Sequence, residues 1–85
     1  MNLDYTVLAQ IAYRTVTRTM QEGETTHGVD NWKKQSISEH KRHALEHAEN
    51  AYTGKTDGED IDHCLTRCAI IEYLKGEQDA NKRTD

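Results

Sequence analysis

Two short runs fix where helices must begin. Ser36-Ile37-Ser38-Glu39 puts a serine oxygen at an N-cap and a glutamate three residues on. At that spacing each side chain satisfies a backbone N–H of the other's residue. Thr56 and Glu59 repeat the spacing after a turn over Thr53–Gly58. Two helix starts this close, with a Gly-containing turn between them, predict an antiparallel helical hairpin. Its first arm ends near Tyr52. Its second runs to about Lys75, with Gly76 as the C′ residue. Glu59, Asp60 and Asp62 fall in the first turn of that second arm, where carboxylates suit the positive end of the helix dipole.

A third helix is predicted upstream, from about Leu3 to Met20. At about 100° per residue, Leu3, Val7, Leu8 and Ile11 form one stripe, and Ala9, Tyr13, Val16 and Met20 another. The β-branched run Thr15–Thr19 could be a strand, but nothing nearby offers a pairing partner, so it reads as helix. Gln21–Lys34, with Gly23, Gly28 and an isolated Trp32, reads as a loop. The chain is thus all-α: one helical domain over residues 1–76, with the hairpin at its centre and a frayed polar tail over 77–85.

The supply of apolar residues is short, at 34% of 85 residues with no Phe. A chain this small sits near the limit of independent stability. Helix two offers Ile37, Ala44, Leu45, Ala48, Ala51 and Tyr52, and its three alanines bury little area each. Helix three is apolar on two sides: Ile61, Cys64, Leu65, Cys68 and Ile71 on one, Ile70 and Leu74 on the other, beside His63 and Arg67. Two-sided helices one and three predict a homo-oligomer, with a ligand site that can lie between subunits.

Composition excludes several classes. No segment approaches the roughly 20 apolar residues of a membrane span. The N-terminus has Asp4 and no basic n-region, so a secretory signal is not expected and the cytoplasm is. Cys64 and Cys68, four apart, are poorly placed to bond each other on one helix, which fits reduced thiols. A net charge of −4 argues against coating a long nucleic acid, yet permits a small phosphorylated ligand held by a local basic cluster.

Three constellations can carry chemistry. His43 and His47, with Cys64 and Cys68, have the i, i+4 spacings of a Cys2His2 zinc site across the hairpin; alternatively the thiols are small buried hydrophobes. Glu46, Glu49, Glu59, Asp60 and Asp62 can offer oxygen ligands to Mg²⁺, or simply cap and solvate helices. Arg14, Arg18, Lys33, Lys34, Lys41 and Arg42 can hold phosphates while Trp32 stacks on a base, or Trp32 covers one end of the core.

From Gly23 to Leu74 the chain resembles a family of small phage proteins named dATP/dGTP diphosphohydrolase, N-terminal domain, a MazG-like group. Gly23–Lys34 looks like the family's loop ending in Asn-Trp, here Asn31 and Trp32, with His27 where Tyr is usual and Thr26 where Lys is usual. His43–Lys55 is similar to its Ala-Leu-Arg-His helix, with Glu46 in place of the Arg and His47 at the family histidine. Asp60–Leu74 is similar to its Leu-x-His-Leu helix, with His63 at that histidine. The paired-Glu motif of MazG-type pyrophosphohydrolases is absent. The resemblance implies a nucleotide-linked phage protein with His47 and His63 on facing helices.

The first expectation is therefore a phage-type binding protein, in the host cytoplasm, that captures a nucleotide or nucleotide-derived signal and so blunts host defence. Arg14, Arg18, Lys33 and Lys34 would take phosphates, with Arg67 also among the ligand-binding residues. Trp32, with Tyr5 or Tyr13, would stack the base, and Asn31, His47 and His63 would supply hydrogen bonds. The alternative is a metal-dependent purine deoxynucleoside triphosphate pyrophosphohydrolase, using His47, His63, Glu49 and Asp62 with Mg²⁺ or Zn²⁺. A protein–protein inhibitor using the second apolar face of helix three is the third.

Overall fold

The computed structural model describes residues 2–54 and 58–82. Among them are three α-helices and one short 3-10 helix, with no strand. These are α1 (Leu3–His27), the 3-10 helix (Asn31–Lys34), α2 (Ile37–Thr53) and α3 (Glu59–Lys82). No helix is long and apolar enough to cross a membrane among these residues.

The capping box forms as its spacing requires. Ser36 Oγ accepts the Glu39 N–H at 3.1 Å, and the Glu39 carboxylate accepts the Ser36 N–H at 3.4 Å. α2 ends at Gly54, whose φ of 69° is left-handed and whose N–H donates to the Asn50 carbonyl. A side chain there would clash with its own backbone, so the residue after the helix is glycine for a steric reason. The second predicted cap, Thr56, lies outside the described residues.

Two ends differ from expectation. α1 continues past Met20 and through Gly23 to His27. A single glycine weakens a helix by about 1 kcal/mol without stopping it. The stop comes at Gly28, with φ 95° and its N–H on the Glu24 carbonyl. α3 likewise continues through Gly76 to Lys82, so Gly76 is a helix-interior residue and not a C′. It lacks the positive φ that a C′ glycine supplies. Residues 77–82 of the expected tail thus belong to α3, and 83–85 lie outside the described residues.

α2 and α3 pack as the antiparallel hairpin: His40 meets Arg67, and His47 meets Asp60. α1 lays its second half against α3, where Thr19 is buried and Arg18 reaches the Asp62 carboxylate. The Cα radius of gyration is 14.5 Å, against about 12 Å for a compact chain of this length. The first half of α1 has no buried residue.

The interior is mostly polar. Among the described residues, the buried apolar side chains are Ala44 and Ile70; Thr19, His40, Asp60 and Thr66 are buried beside them. α3 buries the stripe that looked lesser. Ile70 is interior, while Ile61, Leu65 and Cys68 are exposed. The reason is the partner surface: α2 offers alanines and histidines, and His47 and His40 bond Asp60 and Arg67 on that side of α3. Each buried polar side-chain atom has a hydrogen-bond partner.

Candidate functional site

A cleft of about 480 Å³ lies between the end of α1, the 3-10 helix and the hairpin. Thr19 and Met20 of α1, Trp32 and Asn31 of the 3-10 helix, His43 of α2, and His63, Thr66, Arg67 and Ile70 of α3 line it. The volume falls in the range of small-molecule sites, about 300–1,000 Å³.

His40 organises its floor. The side chain is fully buried. Arg67 Nη1 donates to His40 Nδ1 at 2.8 Å, and His40 Nε2 stands 2.8 Å from the Trp32 backbone carbonyl. A guanidinium has no lone pair to offer and a carbonyl has no proton. Both contacts form together only if Nδ1 accepts and Nε2–H donates, which selects the neutral Nε2–H tautomer. One imidazole thus ties the aromatic loop to the cation.

Arg67 is held by neutral acceptors alone. The second proton of Nη1 goes to Gln35 Oε1 at 2.6 Å, and no carboxylate pairs with it among the described residues. Burial lowers its pKa, the direction expected of a cation taken out of water. The Nε–H and Nη2–H groups have no partner among the described residues and are not sealed from solvent. A half-buried guanidinium with spare donors in a cleft is a fork for a pair of anion oxygens.

His47 and His63, expected on facing helices, stand together. His47 and His63 stack with ring centroids 5.0 Å apart and planes 29° from parallel. The Asp60 carboxylate accepts the His47 Nδ1–H at 2.8 Å, which fixes the ring against the start of α3. His63 reaches the cleft, and His47 lies behind it. His43 also lines the cleft. Its pKa is lowered by burial first, then by the Arg67 and Arg42 charges, against a smaller raising by Glu46.

The other predicted residues scatter. Arg18 is already engaged by Asp62 and Glu22. Arg14 sits on the first half of α1, in a shallow depression with Thr6, Ala9, Gln10 and Tyr13, away from the cleft. Tyr5 and Tyr13 are exposed on that same half, so neither joins Trp32. Lys33 lies over the Trp32 ring, 5.4 Å from its centroid, and near Asp30; Lys34 is exposed. Glu49 is exposed and Asp62 is taken by Arg18. Among the described residues, no three His, Cys, Asp or Glu side chains stand close enough to hold a metal ion. His43, His47, Cys64 and Cys68 therefore do not converge. Cys68 is exposed, and burial followed by the neighbouring Cys68 pushes the Cys64 thiol up.

Three participants escaped the sequence. His40 shares a helix face with Ala44 and Ala51, which marks it only as interior. Gln35 carries no motif. Tyr73, whose ring meets Trp32 edge-on at 5.3 Å, reads as one more residue on a polar stretch of α3. No protein-family model, curated protein or solved structure matches this chain.

Proposed function

We propose that the cleft captures a nucleotide or nucleotide-derived anion and holds it without turnover. The observation that carries this reading is Arg67: a half-buried cation with no carboxylate partner and spare donors beside Trp32. A phosphate oxygen pair would take the guanidinium fork, a base would lie against Trp32, and the Asn31 amide and the His63 imidazole would bond its edge. The lining also carries Glu22, Glu24 and Glu59. One permanent cation among three carboxylates suits a ligand with dispersed charge, such as a cyclic or diester-linked nucleotide, better than a triphosphate. Together with the resemblance to phage proteins, this supports removal of a nucleotide signal in the host cytoplasm, and so a role against host defence. We place the protein in solution as a homo-oligomer, since so little of its apolar surface is covered within one chain.

A second reading is favoured by one observation, the Asp60–His47–His63 series. In a hydrolase, His63 would take a proton from water as the water oxygen attacks the α-phosphorus. The bond to the β-phosphate oxygen would break, giving monophosphate and pyrophosphate. Incubation with dATP, dGTP and a cyclic dinucleotide, followed by heat denaturation and chromatography, separates the two. Capture predicts the unchanged nucleotide, with affinity falling at least tenfold in Arg67→Lys, which keeps the charge and loses the fork. Recovery of monophosphate and pyrophosphate establishes the hydrolase instead, and no binding to any of the three defeats both.

A further inference from the structure

We infer that the first half of α1 is a self-association surface, on which a second copy of this chain pairs antiparallel about Ala9. The inference rests on the homo-oligomer proposed above and gives it an interface. Leu3, Val7, Leu8 and Ile11 share one side of this helix, since residues three, four and seven apart face alike. They are between 46% and 81% exposed. The segment Leu3–Tyr13 extends about 16 Å and buries none of its side chains within the chain. A helix of that length with no tertiary packing is marginal in water, and its stability comes from covering an apolar face.

Charge on the same side identifies the occupant. Asp4 and Arg14 flank the aliphatic stripe, each five residues from Ala9. Neither forms an ion pair among the described residues. Antiparallel pairing about Ala9 sets Asp4 against Arg14 of the partner subunit, twice by symmetry. It also sets Val7 against Ile11 of the partner subunit. Parallel pairing would oppose Asp4 to its own copy and Arg14 to its own copy. The stripe is thus self-complementary in one orientation only, as an isologous two-fold contact requires. Eight aliphatic side chains meet across it, four from each copy.

Light scattering and sedimentation of the full chain test this. Wild type is expected at twice the 9.8 kDa chain mass. Ile11→Glu, an exposed position that leaves the hairpin alone, should weaken the dimer by on the order of a thousandfold. Asp4→Arg and Arg14→Asp should each weaken it about tenfold. The double variant carrying both swaps should return to wild-type affinity, and an equimolar mixture of the two single variants should form mixed dimers. A wild-type monomer at micromolar concentration overturns both the interface and the oligomer. A dimer untouched by Ile11→Glu overturns the interface and leaves the oligomer standing. Loss of affinity in the double swap overturns the antiparallel register.

Discussion

His40 is the residue whose removal the structure prices most clearly. It is fully buried and makes two side-chain hydrogen bonds at 2.8 Å, one to the Trp32 carbonyl and one from Arg67. A neutral bond contributes about 1 kcal/mol and one from a charged donor about 1.5–3 kcal/mol. His40→Ala therefore loses about 2.5–4 kcal/mol before any cavity term. A domain of this size has only about 4–13 kcal/mol in total. The melting temperature should fall by roughly 10–32 °C, at 4–8 °C per kcal/mol. His40→Leu restores most of the volume and neither bond, so it separates packing from polarity and should still lose about 2–3 kcal/mol. Urea unfolding followed by circular dichroism gives both numbers. If His40→Leu matches wild type within about 0.5 kcal/mol, the bonds are not what hold this interior and the tautomer argument loses its energetic meaning.

Further outcomes follow from single positions. Gly76→Ala should stabilise by about 0.5–1 kcal/mol in the same unfolding assay, because Gly76 is inside α3 with open space around its Cα; a loss of stability would restore it as a C′ residue. Gly54→Ala should destabilise by about 1 kcal/mol, from backbone strain alone, since an added Cβ meets nothing within 4 Å. His43 has a folded pKa below its ordinary value of 6.5, so the unfolded chain binds the proton more readily. Its contribution is complete above 6.5 and declines as pH falls through 6.5 towards the folded value, then stays constant. The stability gap between wild type and His43→Gln, measured from pH 7.5 to 5, should shift in favour of the glutamine variant on acidification. Arg18→Gln should cost at most about 1 kcal/mol, and the loss should shrink in high salt, because the Arg18–Asp62 pair is partly exposed.

The sequence announces what depends on local chemistry. Ser36 and Glu39 cap α2 because the bonds that select them span three residues. The hairpin follows; the facing of His47 and His63 comes from the resemblance and not from local chemistry, and the two rings stack. The length of α1 was hidden because Gly23 looks like a terminator, and only the backbone at Gly28 reveals where the left-handed turn occurs. The choice between the two stripes of α3 was hidden for another reason. Ile61 and Leu65 have greater apolar appeal than Asp60 and Thr66, and periodicity ranks them first. What faces α3 is decided by α2, and α2 carries His40 and His47 on its inner side. The site residues that sequence reasoning missed, His40, Gln35 and Tyr73, are those whose roles exist only across elements.

A polar interior also links stability to the cleft. Ala44 and Ile70 cannot stabilise 85 residues by apolar burial, so a large part of the cooperativity must pass through the His40–Arg67–Gln35 and His47–Asp60 contacts. Arg67 joins the interior to the cleft: its Nη1 bonds His40 and Gln35, and the residue also lines the cleft. Two of its costs are unmet among the described residues, namely partial desolvation and the missing counter-charge. An anion on the open side of the guanidinium would relieve the second and strengthen the bonds on the closed side by fixing the fork. Binding and folding should then be tightly linked, with a bound anion raising the unfolding free energy by RT ln(1 + [L]/Kd). A stability measurement is therefore a sharp probe of the cleft, because Arg67 both lines it and bonds His40 and Gln35.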